Sequence, residues 1–179
     1  KNGYTIHYLS TSKSKLVSQN NYKGFFWNPK KSEIDTNALT GVEVIIHLAG
    51  ANVAKKWTTA YKEEIIESRV LSTQLLYQTL QKNSHQVKQI ISASAVGIYP
   101  DSLTDIYHET DLDIDVSFLG NVVKQWENEV SQFEKLEIIV SKIRIGIVLA
   151  KNGGALQEMA KPIQYGVGAA FGSGEQYQS

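Results

Sequence analysis

Short apolar runs alternate along the chain with longer stretches of helical spacing. The sharpest run is Glu43-Val-Ile-Ile-His-Leu-Ala-Gly-Ala-Asn52, in which apolar residues follow one another and stop at Ala49-Gly50-Ala51. Such a run, ending in small residues, predicts a buried parallel strand over residues 42–48 that turns tightly. Small residues at a strand's carboxyl end let a ligand approach the backbone, and open α/β sheets bind ligands there. The run is therefore read as the floor of a nucleotide site. Residues 4–9 predict an earlier strand, and residues 21–27, broken by Asn28-Pro29, a second. Residues 35–39 predict a helical turn ended by Gly41.

Two long helical patterns follow. In residues 58–82, Ile66, Val70, Thr73, Tyr77 and Leu80 recur at steps of three and four. Thr58 or Thr59 can cap the start, with Glu63 and Glu64 in the early turns where the helix dipole favours them. Residues 118–133 place Val122, Trp126, Val130 and Phe133 on one face. Between them, residues 87–93 predict a strand that also ends in small residues, Ser92-Ala-Ser-Ala95, followed by an acidic polar loop over 100–115. Residues 137–149, rich in β-branched side chains, predict a last strand. Gly153-Gly154 start a short helix that Pro162 ends or kinks. Strands alternating with helices predict βαβ crossovers and a mostly parallel sheet.

Composition narrows the partners. The 179 residues suffice for one domain with its own core, and the formal net charge is zero, which argues against recruitment of nucleic acid or an acidic membrane by bulk charge. No cysteine is present, so neither disulfides nor thiolate metal sites arise, and no metal site is expected. No apolar run approaches the roughly 20 residues of a membrane span. A soluble, cytoplasmic protein is the expectation. The chain enters a strand directly after Lys1-Asn2-Gly3 and closes on a glycine-rich tail, so it is expected to be part of a longer polypeptide.

His47-Leu-Ala-Gly50, Ser68-Arg-Val-Leu-Ser-Thr73, Ser92-Ala-Ser-Ala-Val-Gly-Ile-Tyr99, Trp126-Glu127, Arg144-Ile-Gly-Ile-Val-Leu149 and Gly153-Gly-Ala-Leu156 occur in one order. Together they resemble the extended short-chain dehydrogenase/reductase superfamily. More narrowly, the chain resembles its atypical epimerase-like subfamily, which carries the label sugar-nucleotide epimerase or SulA-like cell-division inhibitor. Trp27-Asn-Pro29, Trp57-Thr58 and Gly172-Ser-Gly174 fit that subfamily as well. The resemblance implies a Rossmann-like, doubly wound parallel sheet over residues 1–150 and the beginning of a small substrate domain over 151–179. The family's glycine-rich phosphate loop follows its first strand, yet no G-x-x-G-x-x-G occurs before residue 41. On this template residues 4–9 form the second strand. The first strand and its glycine loop then lie upstream of Lys1.

The resemblance also assigns candidate sites. An acidic residue after the second strand holds the ribose hydroxyls of NAD. Here the stretch is Ser10-Thr11-Ser12-Lys13, without a carboxylate, and its hydroxyls and lysine suit a 2′-phosphate. NADP(H) is therefore the expected cofactor. Leu48, Ala49, Gly50 and Ala51 would line its centre, with Ser92 and Ala93 on the next strand and Ile145 and Gly146 beside the nicotinamide. Ser94 is the implied hydrogen-bond partner of the substrate oxygen, with Ser92 as competitor because the alignment allows a one-residue slip. The superfamily's acid/base is a tyrosine four residues before a lysine on the following helix. Counting back from Glu127, those positions hold Leu119 and Val123; Lys124 is one residue off, turned about 100° around the helix.

Tyr99 is the candidate substitute, or else an aromatic anchor for its loop. His108 and Glu109 would need a fold-back of the loop to reach the cleft. Arg69 borders the buried face of its helix, where a guanidinium needs a partner. It would bind a phosphate or substrate carboxylate, orient a water, or pair structurally with a carboxylate such as Glu43. The implied function is NADP(H)-linked oxidoreductase or epimerase-type chemistry on a small substrate, nucleotide-linked or not. The alternative, given the absent Tyr-x-x-x-Lys, is an NADP(H)-binding regulatory or interaction protein without turnover. The partners implied are a small-molecule substrate and, as one option, a second copy in a homodimer; nucleic acid and membrane are not expected.

Overall fold

The computed structural model describes residues 3–150, 153–169 and 174. Phe171, Gly172 and Ser173 of the glycine-rich tail lie outside the described residues. Two compact units emerge, residues 1–93 with 124–142, and residues 94–123 with 143–179.

In the first unit, β1 (Ile6–Ser10) pairs in parallel with β3 (Tyr22–Asn28). Two short strands, β2 (Ser18–Gln19) and β4 (Glu33–Ile34), pair with β3 antiparallel. A second sheet runs in the order β5 (Val44–His47), β6 (Gln89–Ala95) and β7 (Ile139–Ile145), with β5 and β6 parallel and Ile45 opposite Ile90. Helix α1 (Thr59–Lys82) crosses between β5 and β6, and α2 (Phe118–Ser131) precedes β7. The architecture is a Rossmann-like α/β fold with parallel strands and crossover helices.

Local signals account for the element ends. Thr58 caps α1 through its hydroxyl, which accepts from the Tyr61 amide at 3.2 Å. Asp35 caps the 3-10 turn Thr36–Leu39 in the same way, at 3.0 Å from the Asn37 amide. At the start of α2 the Gly120 amide bonds the Ser117 hydroxyl, and the Ser117 amide bonds the Asp115 carboxylate. The Ser117 hydroxyl also donates to the Asp115 carboxylate, and this bond, with that of the Ser117 amide, holds the Asp115 carboxyl below the usual carboxylate range. A Cβ at Gly120 would stand 2.2 Å from the Asp115 carbonyl oxygen, so this first turn admits only glycine.

The core gathers Trp27, Leu39, Leu75, Leu76, Leu80, Val87, Ile90, Phe133 and Ile138. On α1 the buried stripe is Ile65, Ser72, Thr73, Leu75, Leu76, Thr79 and Leu80. It shares only Thr73 and Leu80 with the spacing read from sequence, because three small hydroxyl residues let the helix lie close on β5 and β6. On α2, Val122, Trp126, Val130 and Phe133 are buried as their period predicts, joined by Val123 and Glu127.

Strand β5 corrects an expectation. It was read as buried, but only Ile45 and His47 face the core; Val44 is 46 % exposed, Ile46 65 % and Leu48 70 %. Ile139 on β7, at 64 %, is exposed in the same manner. The apolar run reports a strand built for cover on both faces. Among the described residues, one face is covered. A second correction concerns Gly153 and Gly154. They form β9 (Gly153–Gly154), antiparallel to β8 (Leu149–Ala150), and helix α3 (Leu156–Gln164) starts only afterwards, with Pro162 inside it. Paired glycines closing a hairpin against β8 compete with helix initiation.

Candidate functional site

The carboxyl end of β5 carries a linked polar cluster. His47, 3 % exposed, lies between two hydroxyls: Nδ1 is 3.3 Å from Ser92 Oγ and Nε2 is 3.0 Å from Ser72 Oγ. Ser72 Oγ directs its proton to the carbonyls of Ser68 and Arg69, at 2.7 and 3.0 Å. The neutral ring with its proton on Nε2 donates to Ser72, and Nδ1 faces the Ser92 hydroxyl, whose single proton is shared between Nδ1 and the nearer Ala93 carbonyl. Burial, and secondarily the Arg69 cation, hold His47 down to about 4. The imidazole is thus uncharged at neutral pH and serves as a hydrogen-bonding strut between β5, α1 and β6.

One turn of α1 away, Arg69 fastens the segment that follows β5. Its Nη2 donates to the Ala51 carbonyl at 3.2 Å and its Nη1 to the Ile65 carbonyl at 2.9 Å. The guanidinium carbon stands 5.2 Å from the Trp126 ring, a cation–π contact. From the other side Gly50 presses on it: a Cβ there would lie 2.9 Å from Cζ and 3.0 Å from Nη2. Glycine at this point leaves room for the guanidinium, which any larger residue would have to shift. Ser68 adds a second fastening, its hydroxyl accepting from the Ala51 amide at 2.8 Å. Burial pulls the Arg69 guanidinium below its ordinary value. Glu43, the carboxylate considered for it, instead pairs with Lys88 at 2.9 Å. Among the described residues Arg69 has no acidic partner; backbone carbonyls and an indole face take that place.

The serines sort differently. Ser92 is fully buried, tied to His47 and to the Ala93 carbonyl at 2.9 Å. Ser94, two residues on along β6, is 4 % exposed. Past β1, Ser10 and Ser12 bond each other through hydroxyl and backbone at 3.2 Å, Ser12 Oγ lies 2.9 Å from Ser14 Oγ, and Lys13 sits 5.0 Å from the centre of the Phe26 ring. Ser10, Thr11, Ser12 and Lys13 thus come together as one hydroxyl- and lysine-bearing turn at a strand's carboxyl end.

Within the second unit, Tyr99 and Arg144 meet. Arg144 Nη1 donates to the Tyr99 hydroxyl at 2.5 Å and to the Glu109 carbonyl at 3.2 Å, and the phenol donates to the His108 carbonyl at 2.9 Å. Tyr107 stacks on Tyr99 with ring centres 5.2 Å apart. The 100–115 loop therefore does fold back, but His108 and Glu109 act there through backbone carbonyls. Beside it lies an open cavity of 890 Å³, lined by Tyr99, Leu103, Ile106, Tyr107 and Leu119 among others. Ile145 and Gly146 follow Arg144, Ile145 exposed and Gly146 half-buried. Two features escaped the sequence: the strut at His47, signalled only by one histidine inside an apolar strand, and the Tyr99–Arg144 pair, 45 residues apart in the chain. Among the described residues no cluster of histidine and carboxylate side chains could hold a metal ion. Among the described residues no helix is long and apolar enough to cross a membrane.

Parallel strands with crossover helices and a glycine-bearing turn at the carboxyl end of β5 define a Rossmann-like α/β domain. The model of the NAD dependent epimerase/dehydratase family matches residues 1–117, and the chain belongs to that family. An epimerase family protein of Staphylococcus aureus strain MRSA252 is 39 % identical over 160 residues, which cover 89 % of this chain and 53 % of that protein. Another from Staphylococcus saprophyticus is 39 % identical over 143 residues, covering 80 % and 48 %. The chain thus spans about half the length of these curated relatives. Among solved structures, the human epimerase family protein SDR39U1 with NADPH superposes with a TM-score of 0.73 at 24 % identity, over 98 % of this chain and 57 % of that one. A nucleoside-diphosphate sugar epimerase from Corynebacterium glutamicum gives 0.69 at 28 % identity, over 86 % and 34 %.

Two measurements probe the cluster. His47 gains a proton in the unfolded chain near pH 6.5 but in the folded chain only near 4, so its contribution is complete above about pH 6.5 and is lost as pH falls toward 4. The full loss is roughly 3 kcal/mol. In urea titrations across that window, His47→Asn should show a shallower fall than the parent; equal slopes would remove His47 as the cause. Gly50→Ala should displace the Arg69 guanidinium and cost about 1–3 kcal/mol of stability, measured by chemical denaturation.

Proposed function

We propose that the full-length protein is an NAD(P)-linked epimerase-type oxidoreductase that takes NADP(H) and acts on a small substrate, nucleotide-linked or not. The observation that carries this reading is the glycine turn at the carboxyl end of β5, held open by Arg69 and Ser68. That is where a doubly wound sheet receives its ligand. The turn 10–13 supports NADP(H): hydroxyls and a lysine suit a 2′-phosphate, and no carboxylate stands there to favour a free ribose. The NADPH in the human relative's structure accords with this choice.

In this reading Leu48, Ala49, Gly50 and Ala51 line the cofactor's centre, with Ser92 and Ala93 on the next strand and Ile145 and Gly146 at the nicotinamide end. Ser92 would contribute through backbone, since its hydroxyl serves His47. Ser94 would hydrogen-bond the substrate oxygen, a role a hydroxyl fills because it both donates and accepts. Tyr99 is the proposed proton carrier, its hydroxyl held by Arg144. Arg69 acts by shaping the turn. The cofactor supplies the hydride chemistry when bound. The proposed division is a dinucleotide domain over 1–150 and the beginning of a substrate domain over 151–179. A cytoplasmic location, and a homodimer as its assembly, belong to the same proposal.

One observation favours a second reading. The helix positions at which the superfamily carries its tyrosine and lysine hold Leu119 and Val123, and Val123 is buried at 4 % exposure. An NADP(H)-binding regulatory protein without turnover would look the same there.

Thermal-shift measurements on the full-length protein separate these readings. NADPH should raise Tm more than NADH at equal concentration, and equal shifts would overturn the cofactor assignment. Assayed against carbonyl and sugar-nucleotide substrates, Ser94→Ala should lower kcat by about 100-fold or more if Ser94 binds the reacting oxygen. Undiminished kcat would exclude Ser94, and binding without any hydride transfer would select the regulatory reading.

A further inference from the structure

The cavity of the second unit is built within residues 96–119, from the 100–115 loop and the start of α2. Its 890 Å³ falls within the roughly 300–1,000 Å³ of small-ligand sites. The lining divides by chemistry. Leu103, Ile106 and Leu119 make an aliphatic wall, Tyr107 adds an aromatic one, and Asp101, Asp105 and Asp115 supply carboxylates. Among the described residues no lysine, arginine or histidine lines it.

The carboxylates are not equivalent. Asp115 is committed to α2, accepting from the Ser117 hydroxyl and amide. Asp105 accepts from the Ser102 hydroxyl at 2.9 Å, and the Asp101 carboxylate has no hydrogen bond among the described residues. No cation pairs with Asp101 or Asp105 there. Both act on Tyr107: burial, then the carboxylates of Asp105, Asp113 and Asp101, push its phenol up from its ordinary value. The Tyr107 ring is only half committed. One face stacks on Tyr99, which Arg144 also holds. The other face has no ring or cation against it among the described residues. An aromatic face attracts a cation through its quadrupole, and carboxylates beside it add to that attraction.

We propose that this cavity binds an organic ammonium group, protonated or quaternary, between the open face of Tyr107 and the carboxylates of Asp101 and Asp105, with the ligand's carbon skeleton against Leu103, Ile106 and Leu119. The ligand is a small molecule that carries an amine. Charge decides against a nucleoside diphosphate in this cavity, because its phosphates would face carboxylates with no cation in the lining to offset them. The proposal rests on the cavity and holds whether or not the protein binds NADP(H).

Calorimetric titration of the full-length protein, without cofactor, tests it with choline and with choline's uncharged carbon isostere, dimethylbutanol. Choline should bind about ten-fold more tightly or better, ring and carboxylates each contributing a factor of a few. Asp101→Asn combined with Asp105→Asn should weaken choline about three-fold or more and leave the isostere unchanged. Tyr107→Leu should weaken choline to a similar extent, whereas Tyr107→Phe, which keeps the ring face, should preserve its affinity. Uridine diphosphate should not displace choline. Equal affinity for choline and its isostere would overturn the proposal, and that comparison needs no variant to fold. So would a choline affinity indifferent to the aspartate pair or to loss of the ring, and so would displacement by uridine diphosphate.

Discussion

The Arg69 guanidinium holds the candidate site together. It lies partly buried between the Gly50 backbone and the Trp126 ring, and it spends its hydrogen bonds on the carbonyls of Ile65 and Ala51. A cation taken from water without a carboxylate costs free energy unless its donors and its face are otherwise satisfied. Here carbonyl dipoles and an indole quadrupole offset part of that cost. Several features follow from this one placement. A side chain at residue 50 would have to displace the guanidinium. The turn after β5 is fixed to α1, and the neighbouring His47, kept neutral chiefly by its own burial, is held down further by the Arg69 cation. Hydroxyls at Ser72 and Ser92 then complete the neutral ring's hydrogen bonds.

The same cluster separates structural from chemical roles among residues of one type. Ser92 and Ser94 share a face of β6 and are both buried, yet Ser92 closes the His47 strut. Tyr99 and Arg144 form a second, separate clasp that fixes the 100–115 loop through its backbone at His108 and Glu109. A positively charged side chain thus organises a turn or loop in each unit, by carbonyl bonds and by a stacked ring.

Exposure on β5 has a different origin from exposure at an ordinary surface. Val44, Ile46 and Leu48 form an aliphatic row on a strand whose outer edge is also unpaired. Scattered surface aliphatics are ordinary; a row beside an open main-chain edge marks a place built to be covered. The sequence reading of a two-sided buried strand was right about the composition. It missed the exposure, which depends on what packs against this face and not on the apolar pattern of the strand.

The sequence by itself determined the long helices and main strands, a threonine cap for α1 at 58 or 59, the buried face of α2 and the family. These depend on neighbours within a few residues, where periodicity, caps and small-residue turns act directly on the backbone. It also showed that Leu119 and Val123 stand where a tyrosine and a lysine are absent. Tertiary structure alone decided the partners of Arg69, the strut role of His47 and the pairing of Tyr99 with Arg144. Each of these joins residues far apart in the chain, and which of several polar groups meets a given one is set by how strands and helices pack. Arg69 shows the difference most plainly: sequence required a partner for it, and packing supplied carbonyls and an indole in place of an acid.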